Sequence, residues 1–151
     1  MKYFLIALTI QVCSFAASAQ TAEDSVKQVI TQLFTAMKNA DTTLLKTCFA
    51  DSMVLQTITR DKSGSAVVVN EKAAGFINSI GKLPAGAADE QIQFETLRID
   101  GPLAIVWTPY KFYFNGKFSH CGANSFQLVR FKEGWKIQYL IDTRRRVGCL
   151  E

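Results

Sequence analysis

The chain has 151 residues, of which 48% are hydrophobic and 20% are charged, and its formal net charge is +4. This length suits one domain with a sizeable core. The weak and dispersed positive charge argues against nucleic acid as a partner, because nucleic-acid binding needs a clustered basic surface. The single basic run, Arg144-Arg145-Arg146, is interpreted as a solvated strand end, with a patch for an anionic ligand as the alternative.

The first 19 residues have the features of a secretory signal peptide. Lys2 supplies a positive start, residues 3–17 are mostly apolar, and Ala17-Ser18-Ala19 is an A-x-A cleavage site. The apolar run is too short for a membrane span, and no later stretch is long enough for one. We therefore expect a single domain over residues 20–151, without a membrane span, that is exported to the periplasm or secreted.

Helical patterns come first in the predicted domain. Residues 21–39 carry apolar side chains at the spacing of an amphipathic helix. Asp41 is expected to cap a second, shorter helix. Asn70 is expected to cap a third helix, which ends at Gly81. Two short strands, over residues 53–59 and 66–69, separate the second helix from the third.

Antiparallel strands make up the second half. A loop over residues 82–89 leads into a strand over residues 91–100. Three long strands follow, joined by tight turns at Asn115-Gly116 and Glu133-Gly134. Helices followed by antiparallel strands indicate an α+β fold. We predict a curved antiparallel sheet packed on about three helices from the N-terminal half.

The two predicted turns imply a strand register, which assigns each side chain to a face of the sheet. Trp107 is expected to lie opposite Asn124, which lies opposite Thr143, and Tyr139 is expected on the same inward face. Asp142 is expected on the opposite face. A β-bulge in any strand would exchange the two faces beyond it.

The predicted ligand-binding residues are Trp107, Asn124, Tyr139 and Thr143. An aromatic ring beside an amide and a hydroxyl can orient a small apolar or aromatic molecule in an apolar pocket. Core packing with satisfied polar groups is the alternative, and we favour it for Tyr139. Asn124 is the strongest single candidate, because a buried amide in mid-strand requires hydrogen-bonding partners.

Two residues are weak candidates for a catalytic base. His120 is the only histidine and could titrate near neutral pH, although a structural or exposed histidine is the favoured reading. Asp142 shares a face with Arg144, where a salt bridge is favoured over a charged pocket rim. One histidine and scattered cysteines do not form a zinc site, and the sequence has no cofactor-binding motif. We therefore expect neither metal nor cofactor.

Three cysteines remain after the predicted cleavage, namely Cys48, Cys121 and Cys149. An oxidising compartment permits one disulfide with one thiol left over. Cys48 lies on the apolar face of a predicted helix, which makes Cys121–Cys149 the candidate bridge. The predicted register places Cys121 opposite Arg146, so the tail would have to fold back for the two thiols to meet.

Several phrases of the sequence resemble the nuclear-transport-factor-2-like (NTF2-like) superfamily, which includes ketosteroid isomerase-like and SnoaL-like enzymes. They are residues 34–41 (FTAMKNAD), residues 48–55 (CFADSMVL) and residues 134–137 (GWKI). Residues 104–113 (AIVWTPYKFY) and 119–126 (SHCGANSF) are similar to exported bacterial members that carry a lumazine-binding label. The resemblance implies a cone-shaped curved sheet closed by helices over nearly the whole mature chain.

The resemblance implies no single activity. Ketosteroid isomerase-like members have a catalytic carboxylate on the first strand, whereas residues 54–58 (VLQTI) contain no acid. Our leading hypothesis is an exported domain, homodimeric and non-catalytic, that binds a small apolar or aromatic molecule in a cavity. One alternative is a SnoaL-like isomerase, cyclase or hydrolase that uses His120 or Asp142 as base. Another is an interaction domain whose sheet face docks a different envelope protein.

Overall fold

The computed structural model describes residues 21–149. Its elements are α1 (Ala22–Asn39), α2 (Thr42–Cys48), β1 (Phe49–Arg60), β2 (Ala66–Glu71), α3 (Ala73–Ile80), β3 (Ala88–Ile92), β4 (Thr96–Asp100), β5 (Leu103–Phe114), β6 (Lys117–Phe131) and β7 (Gly134–Thr143). The predicted signal peptide and its cleavage site lie outside the described residues. No helix within residues 21–149 combines the length and the apolar character that crossing a membrane requires.

The first two helices begin where the sequence predicts, because each has a side-chain cap. The Thr21 hydroxyl oxygen accepts a hydrogen bond from the Asp24 N–H at 3.1 Å, and Asp41 Oδ1 accepts one from the Leu44 N–H at 2.9 Å. The third helix differs from the prediction. Because β2 continues to Glu71, α3 begins after Lys72, which provides no side-chain cap, and Asn70 lies within the strand.

Seven strands form one open sheet in the order β2-β1-β7-β6-β5-β3, and β4 also pairs with β5. Every pair is antiparallel except β1–β7, which is parallel. The predicted α+β fold of a curved sheet with three helices is therefore confirmed. The sheet is mixed rather than wholly antiparallel, because its first strand, β1, runs parallel to its last strand, β7.

The strand predicted over residues 91–100 is two strands, β3 and β4, which both pair with β5. Pro109 of β5 has no N–H to donate, so the ladder on the β3 and β4 side of β5 loses a hydrogen bond at this position. The N–H groups of Gln93 and Glu95 still donate to the carbonyls of Pro109 and Trp107, at 3.0 and 3.1 Å. β3 also begins at Ala88, earlier than predicted, and so includes part of the expected loop.

The core lies between the helices and the inner face of the sheet. α1 buries one side of its amphipathic surface, and the ring of Phe34 meets that of Phe126 on β6 edge-to-face, with centroids 6.2 Å apart. Leu128 and Ile137 of the neighbouring strands are fully buried in the same cluster. This packing fixes the position of α1 against the sheet.

The predicted strand register is wrong on both sides of β6. Phe114 faces Lys117 at the first turn as expected, but Ser119 is an extra residue in β6, so Trp107 faces Ser125. The second turn is one residue earlier than predicted, at residues 132–133, because Phe131 pairs with Gly134. A further shift follows in β7, between the partners of Gln127 and Leu128.

These shifts exchange the faces of β5 and of the part of β7 that follows Gln138, and they leave the face of β6 unchanged. Trp107 lies on the outer face with 42% of its surface exposed. Tyr139 and Thr143 also lie on the outer face, since they alternate with the buried Leu140 and Asp142. Asn124 stays on the inner face, where its strand partners are Thr108 and Asp142.

A disulfide holds the tail that follows β7. Cys121 and Arg145 exchange two backbone hydrogen bonds of 2.8 Å, which continues the β6–β7 pairing beyond Thr143. The chain then turns at Gly148, where φ is 64°, and Cys149 bonds to Cys121 with the Cα atoms 5.8 Å apart. The tail thus folds back, as the Cys121–Cys149 bridge requires. Cys48 remains a buried free thiol.

Gly122 allows β6, β7 and β5 to meet closely. A Cβ atom at this position would lie 1.8 Å from the Thr143 carbonyl oxygen and 2.8 Å from the Tyr110 ring. The Tyr110 hydroxyl donates to that same carbonyl at 2.9 Å. The missing side chain therefore makes room for the contact between Tyr110 and the end of β7.

We predict that Gly122→Ala lowers the free energy of unfolding by roughly 2 to 4 kcal/mol, because a backbone atom must move to admit the methyl group. Gly75→Ala is the matched control, since an added Cβ meets nothing within 4 Å there. In that helix, alanine should stabilise by up to about 1 kcal/mol. Urea unfolding of the two variants measures both values, and equal effects would contradict the close-approach argument.

Candidate functional site

A cavity of about 300 Å³ lies between the helices and the inner face of the sheet. Much of its wall is apolar and comes from the helices and the strands they cover. These residues are Leu33, Phe34, Met37, Leu55, Phe76, Ile80, Leu83, Ala88, Phe112 and Leu140. Polar side chains from neighbouring strands also line it. We refer to Glu90, Tyr110, Asn124, Asp142 and Arg144 as the polar cluster.

Asn124 is the centre of the polar cluster. Its side chain is buried, and its Nδ2 atom donates to Glu90 Oε1 at 2.8 Å and to Thr108 Oγ1 at 3.4 Å. The contacts join β6 to β3 and β5. Because Thr108 is fully buried and Glu90 is anchored by the amide, both partners are held in one position against the cavity.

Asp142 is held from two sides. Its Oδ2 atom accepts hydrogen bonds from the Tyr110 hydroxyl at 3.2 Å and from Arg144 Nε at 2.9 Å. Arg144 in turn donates from Nη2 to Thr57 Oγ1 at 3.1 Å. Asp142 is buried, whereas the Arg144 side chain is about half exposed, at 52%. Arg144 therefore connects the buried carboxylate to the solvent-facing edge of the cavity.

Burial raises the pKa of Glu90 to about 7. The hydrogen bond from Asn124 and the positive charge of Arg144 act in the opposite direction, and the negative charge of Asp142 adds to the increase. Burial also raises the pKa of Tyr110 well above its usual range. The Tyr110 hydroxyl is therefore a hydrogen-bond donor at neutral pH, while Glu90 exists in both protonation states.

His120 packs beside the polar cluster rather than at an exposed hairpin tip. Its ring meets the ring of Tyr110 edge-on at 5.8 Å and lies 5.0 Å from that of Phe112, and its Nδ1 atom is 3.1 Å from Ser119 Oγ. Burial, with the positive charge of Arg144, lowers the pKa of His120. The neutral imidazole is thus the favoured form near pH 7.

Of the residues predicted for the site, Asn124, His120 and Asp142 line the cavity. Trp107, Tyr139 and Thr143 lie on the outer face of the sheet, away from it. The Tyr139 hydroxyl donates to Gln56 Oε1 at 2.6 Å, and Thr143 Oγ1 accepts from the Ala123 N–H at 3.2 Å. The prediction that Trp107 lies opposite Asn124 on the inner face was wrong, because the extra residue in β6 moves Trp107 to the other face.

Glu90 and Tyr110 are cavity residues that were not predicted from the sequence. Glu90 directly follows the segment predicted as a loop, and only the pairing of β3 with β5 brings it beside Phe112. The alternation of Ala88, Glu90 and Ile92 on one face was the available signal, but this five-residue strand is too short for alternation alone to assign a face.

Within residues 21–149, no group of three or more histidine, cysteine or acidic side chains has the arrangement of a metal site.

Comparison with known proteins identifies the fold. No protein-family model matches the sequence, and no curated protein matches it. Solved structures do match. An NTF2-like protein of unknown function from Shewanella baltica is 13% identical with a TM-score of 0.62, over 82% of this chain and 93% of that one. A domain with a cystatin-like fold from Nostoc punctiforme is 15% identical with a TM-score of 0.66, over 87% and 82%.

A third similar structure, from Streptomyces avermitilis, is described as a candidate dehydratase of the NTF2-like family. It is 14% identical with a TM-score of 0.60, over 82% of this chain and 96% of that one. At such low identity these likenesses show the fold alone. The chain therefore has the NTF2-like fold, and its activity has to be argued from the cavity.

The raised pKa of Glu90 predicts a pH-dependent stability. Folding favours the protonated acid, so stability is lost as the pH rises from about 4.5 to about 7. Between pH 5 and pH 8 the wild type should lose about 2 to 3 kcal/mol more than Glu90→Gln, as measured by urea unfolding at both values. Glu95→Gln, at an exposed position, should behave as the wild type. Equal pH dependence in the wild type and Glu90→Gln would mean that this carboxyl titrates normally.

Proposed function

We propose that this protein binds a small, largely apolar molecule in the cavity and that Glu90 transfers a proton to or from it. The observation that carries the proposal is the position of the Glu90 carboxyl group, which lines a largely apolar cavity and is held by the buried amide of Asn124. Burial there raises the pKa of Glu90 to about 7. A group with a pKa near the ambient pH is suited to act as both acid and base.

The two acidic side chains of the polar cluster have different surroundings. Asp142 accepts hydrogen bonds from Tyr110 and Arg144, whereas Glu90 accepts a hydrogen bond from Asn124 alone among the described residues. Two carboxyl groups placed in unlike environments are a common arrangement for dividing acid–base roles. We assign proton transfer to Glu90 and propose that Asp142 keeps Tyr110 and Arg144 in place.

The size and walls of the cavity limit the ligand. A cavity of roughly 150 Å³ holds one benzene molecule, so a volume of about 300 Å³ suits a body of one or two rings. The wall contains the rings of Phe34, Phe76 and Phe112. Isomerisation, dehydration and hydrolysis are the reaction classes in which one carboxyl group can move the required proton.

This proposal develops the catalytic alternative from the sequence analysis, with Glu90 as the base in place of His120 or Asp142. It shares its first step, the binding of a small apolar or aromatic molecule, with the non-catalytic hypothesis. The two differ in whether the bound molecule is transformed. An acid–base group at the cavity favours the catalytic version.

A probe reaction tests Glu90 without knowledge of the natural substrate. 5-Nitrobenzisoxazole is a small bicyclic compound, and a base that removes its ring C–H proton breaks the N–O bond and releases a coloured cyanonitrophenolate. We expect the protein to accelerate this step, with a rate that rises with pH and levels off above about 7, because the ionised Glu90 is the base. Glu90→Gln should lower the rate at least tenfold.

Glu95→Gln is the matched control and should keep the wild-type rate, since this side chain is exposed. A full rate in Glu90→Gln would show that Glu90 is not the base. Loss of the rate in His120→Gln or Asp142→Asn, with Glu90→Gln unaffected, would instead assign the base to one of the residues proposed from the sequence.

We also propose export after cleavage near Ala19 and a homodimer formed through the outer face of the sheet. The leader-like residues 1–19 support export. The dimer is supported by three apolar side chains at alternate positions of β5, Leu103, Ile105 and Trp107, which are 43%, 44% and 42% exposed. A contiguous exposed apolar surface of this kind is typical of an interaction site.

Native mass spectrometry of protein purified from the periplasm tests both proposals. We expect the mass of two chains, each comprising residues 20–151. Ile105→Lys should give a monomer, because it places a charge in the apolar contact, while Val147→Lys, an exposed apolar position outside the sheet, should remain a dimer. A retained leader would contradict cleavage, and a wild-type monomer would contradict the dimer.

A further inference from the structure

The polar cluster presents oxygen atoms for which no described residue provides a hydrogen-bond donor. Asn124 uses both hydrogens of Nδ2 on Glu90 and Thr108, and no described group donates to its Oδ1 atom. Asp142 receives both of its hydrogen bonds at Oδ2, which leaves Oδ1 unbonded within residues 21–149. Glu90 Oε2 is in the same situation, since Asn124 contacts only Oε1.

These oxygens reach open space rather than being sealed in the protein. Among the described residues, no fully buried side-chain nitrogen or oxygen lacks a hydrogen-bonding partner. Asn124 is nevertheless only 4% exposed and Asp142 only 8% exposed. Since both line the cavity, the accessible part of each polar group faces the cavity.

The three acceptors lie within reach of a single head group. Asn124 and Asp142 are directly paired on β6 and β7, where the Cβ atoms of opposed residues are about 5 Å apart. Glu90 is hydrogen-bonded to Asn124. A ligand atom with several N–H groups placed beside Asn124 could therefore contact all three side chains.

We propose that the cavity binds an aromatic or other apolar amine, with the ammonium group at the free oxygens of Glu90, Asn124 and Asp142. An ammonium group has hydrogen-bond donors and no acceptor, which matches a set of unsatisfied acceptors. Its positive charge is balanced by the Glu90 carboxylate, which is not paired with a basic side chain of the described residues, whereas Asp142 is already paired with Arg144. This inference rests on the proposed function, because it concerns the ligand of the same cavity.

The basic residue of the cluster does not offset this preference. Arg144 already donates to Asp142 and to Thr57, and its side chain is about half exposed at the cavity edge. An anionic ligand at the polar cluster would face Asp142 and Glu90 without a buried cation of its own. An ammonium group has the additional effect of favouring the ionised form of Glu90, which is the form that acts as a base.

Three indole compounds with the same ring body and different head groups test the inference. Isothermal titration calorimetry at pH 7 should show that tryptamine, an amine, binds at least tenfold more tightly than tryptophol, its alcohol counterpart. Indole-3-acetate, a carboxylate, should bind most weakly. Glu90→Gln should reduce the tenfold preference for tryptamine to less than threefold, whereas the exposed Glu95→Gln should preserve it.

Asn124→Leu is a second variant, which removes the uncharged acceptor oxygen of Asn124. It should also weaken tryptamine more than tryptophol, with an unfolding midpoint measured alongside to show that the variant is folded. Equal binding of tryptamine and tryptophol to the wild type would overturn the inference. Tightest binding of indole-3-acetate would overturn it in favour of an anion site at Arg144.

Failure of this inference can be separated from failure of the proposed function. If none of the three compounds binds, the amine inference is wrong. The reaction of 5-nitrobenzisoxazole, which contains no amine, then shows independently whether Glu90 transfers protons. If tryptophol binds as well as tryptamine and the probe reaction depends on Glu90, the proposed function stands and only the amine preference is rejected.

Discussion

The hydrogen bonds of the Asn124 amide hold the cavity side of the sheet together. A buried amide that lost its partners would cost about 1 to 3 kcal/mol, so Glu90 on β3 and Thr108 on β5 are held close to β6. The contact with Glu90 crosses β5, the strand that lies between β3 and β6. Without this bridge, the short β3 would be joined to the sheet only by its backbone pairing with β5 and by its packing against α1.

The bridge places the ionisable Glu90 side chain at the edge of a cavity whose wall is largely apolar. A carboxyl group there loses hydration, and one hydrogen bond only partly compensates for that loss. The protein thus keeps a locally unfavourable arrangement that the rest of the core has to stabilise. Such arrangements are concentrated at functional sites, where residues serve chemistry rather than stability.

Local patterns in the sequence predicted the helices well, because α1 and α2 each combine apolar periodicity with a capping residue. They also predicted the long strands and the Asn115-Gly116 turn. They did not predict the extra residue at Ser119 or the earlier second turn, since neither changes the pattern of apolar and polar residues nearby in the sequence. A shift of one residue exchanges the faces of a strand, so Asn124 was placed correctly and Trp107 was not.

Glu90 could not be found from local patterns for a different reason. Its position depends on β3 pairing with a strand about twenty residues later in the chain, and the pairing is interrupted by Pro109. The parallel pairing of β1 with β7 is non-local in the same sense, and it brings Thr57 to Arg144. The parts of the cavity that come from strands distant in the sequence are therefore the parts that local patterns could not predict.

The Cys121–Cys149 bond anchors the tail that follows β7, the strand that carries Asp142 near its end, and Arg144 is the first residue of that tail. Strand ends fray more readily than strand centres, and here the bond ties the end of β7 to its neighbour β6. A chain that folds where thiols stay reduced would keep the same core but would lack this tie. The redox state of the compartment in which the protein folds therefore decides whether the segment after Arg144 is covalently tied to β6.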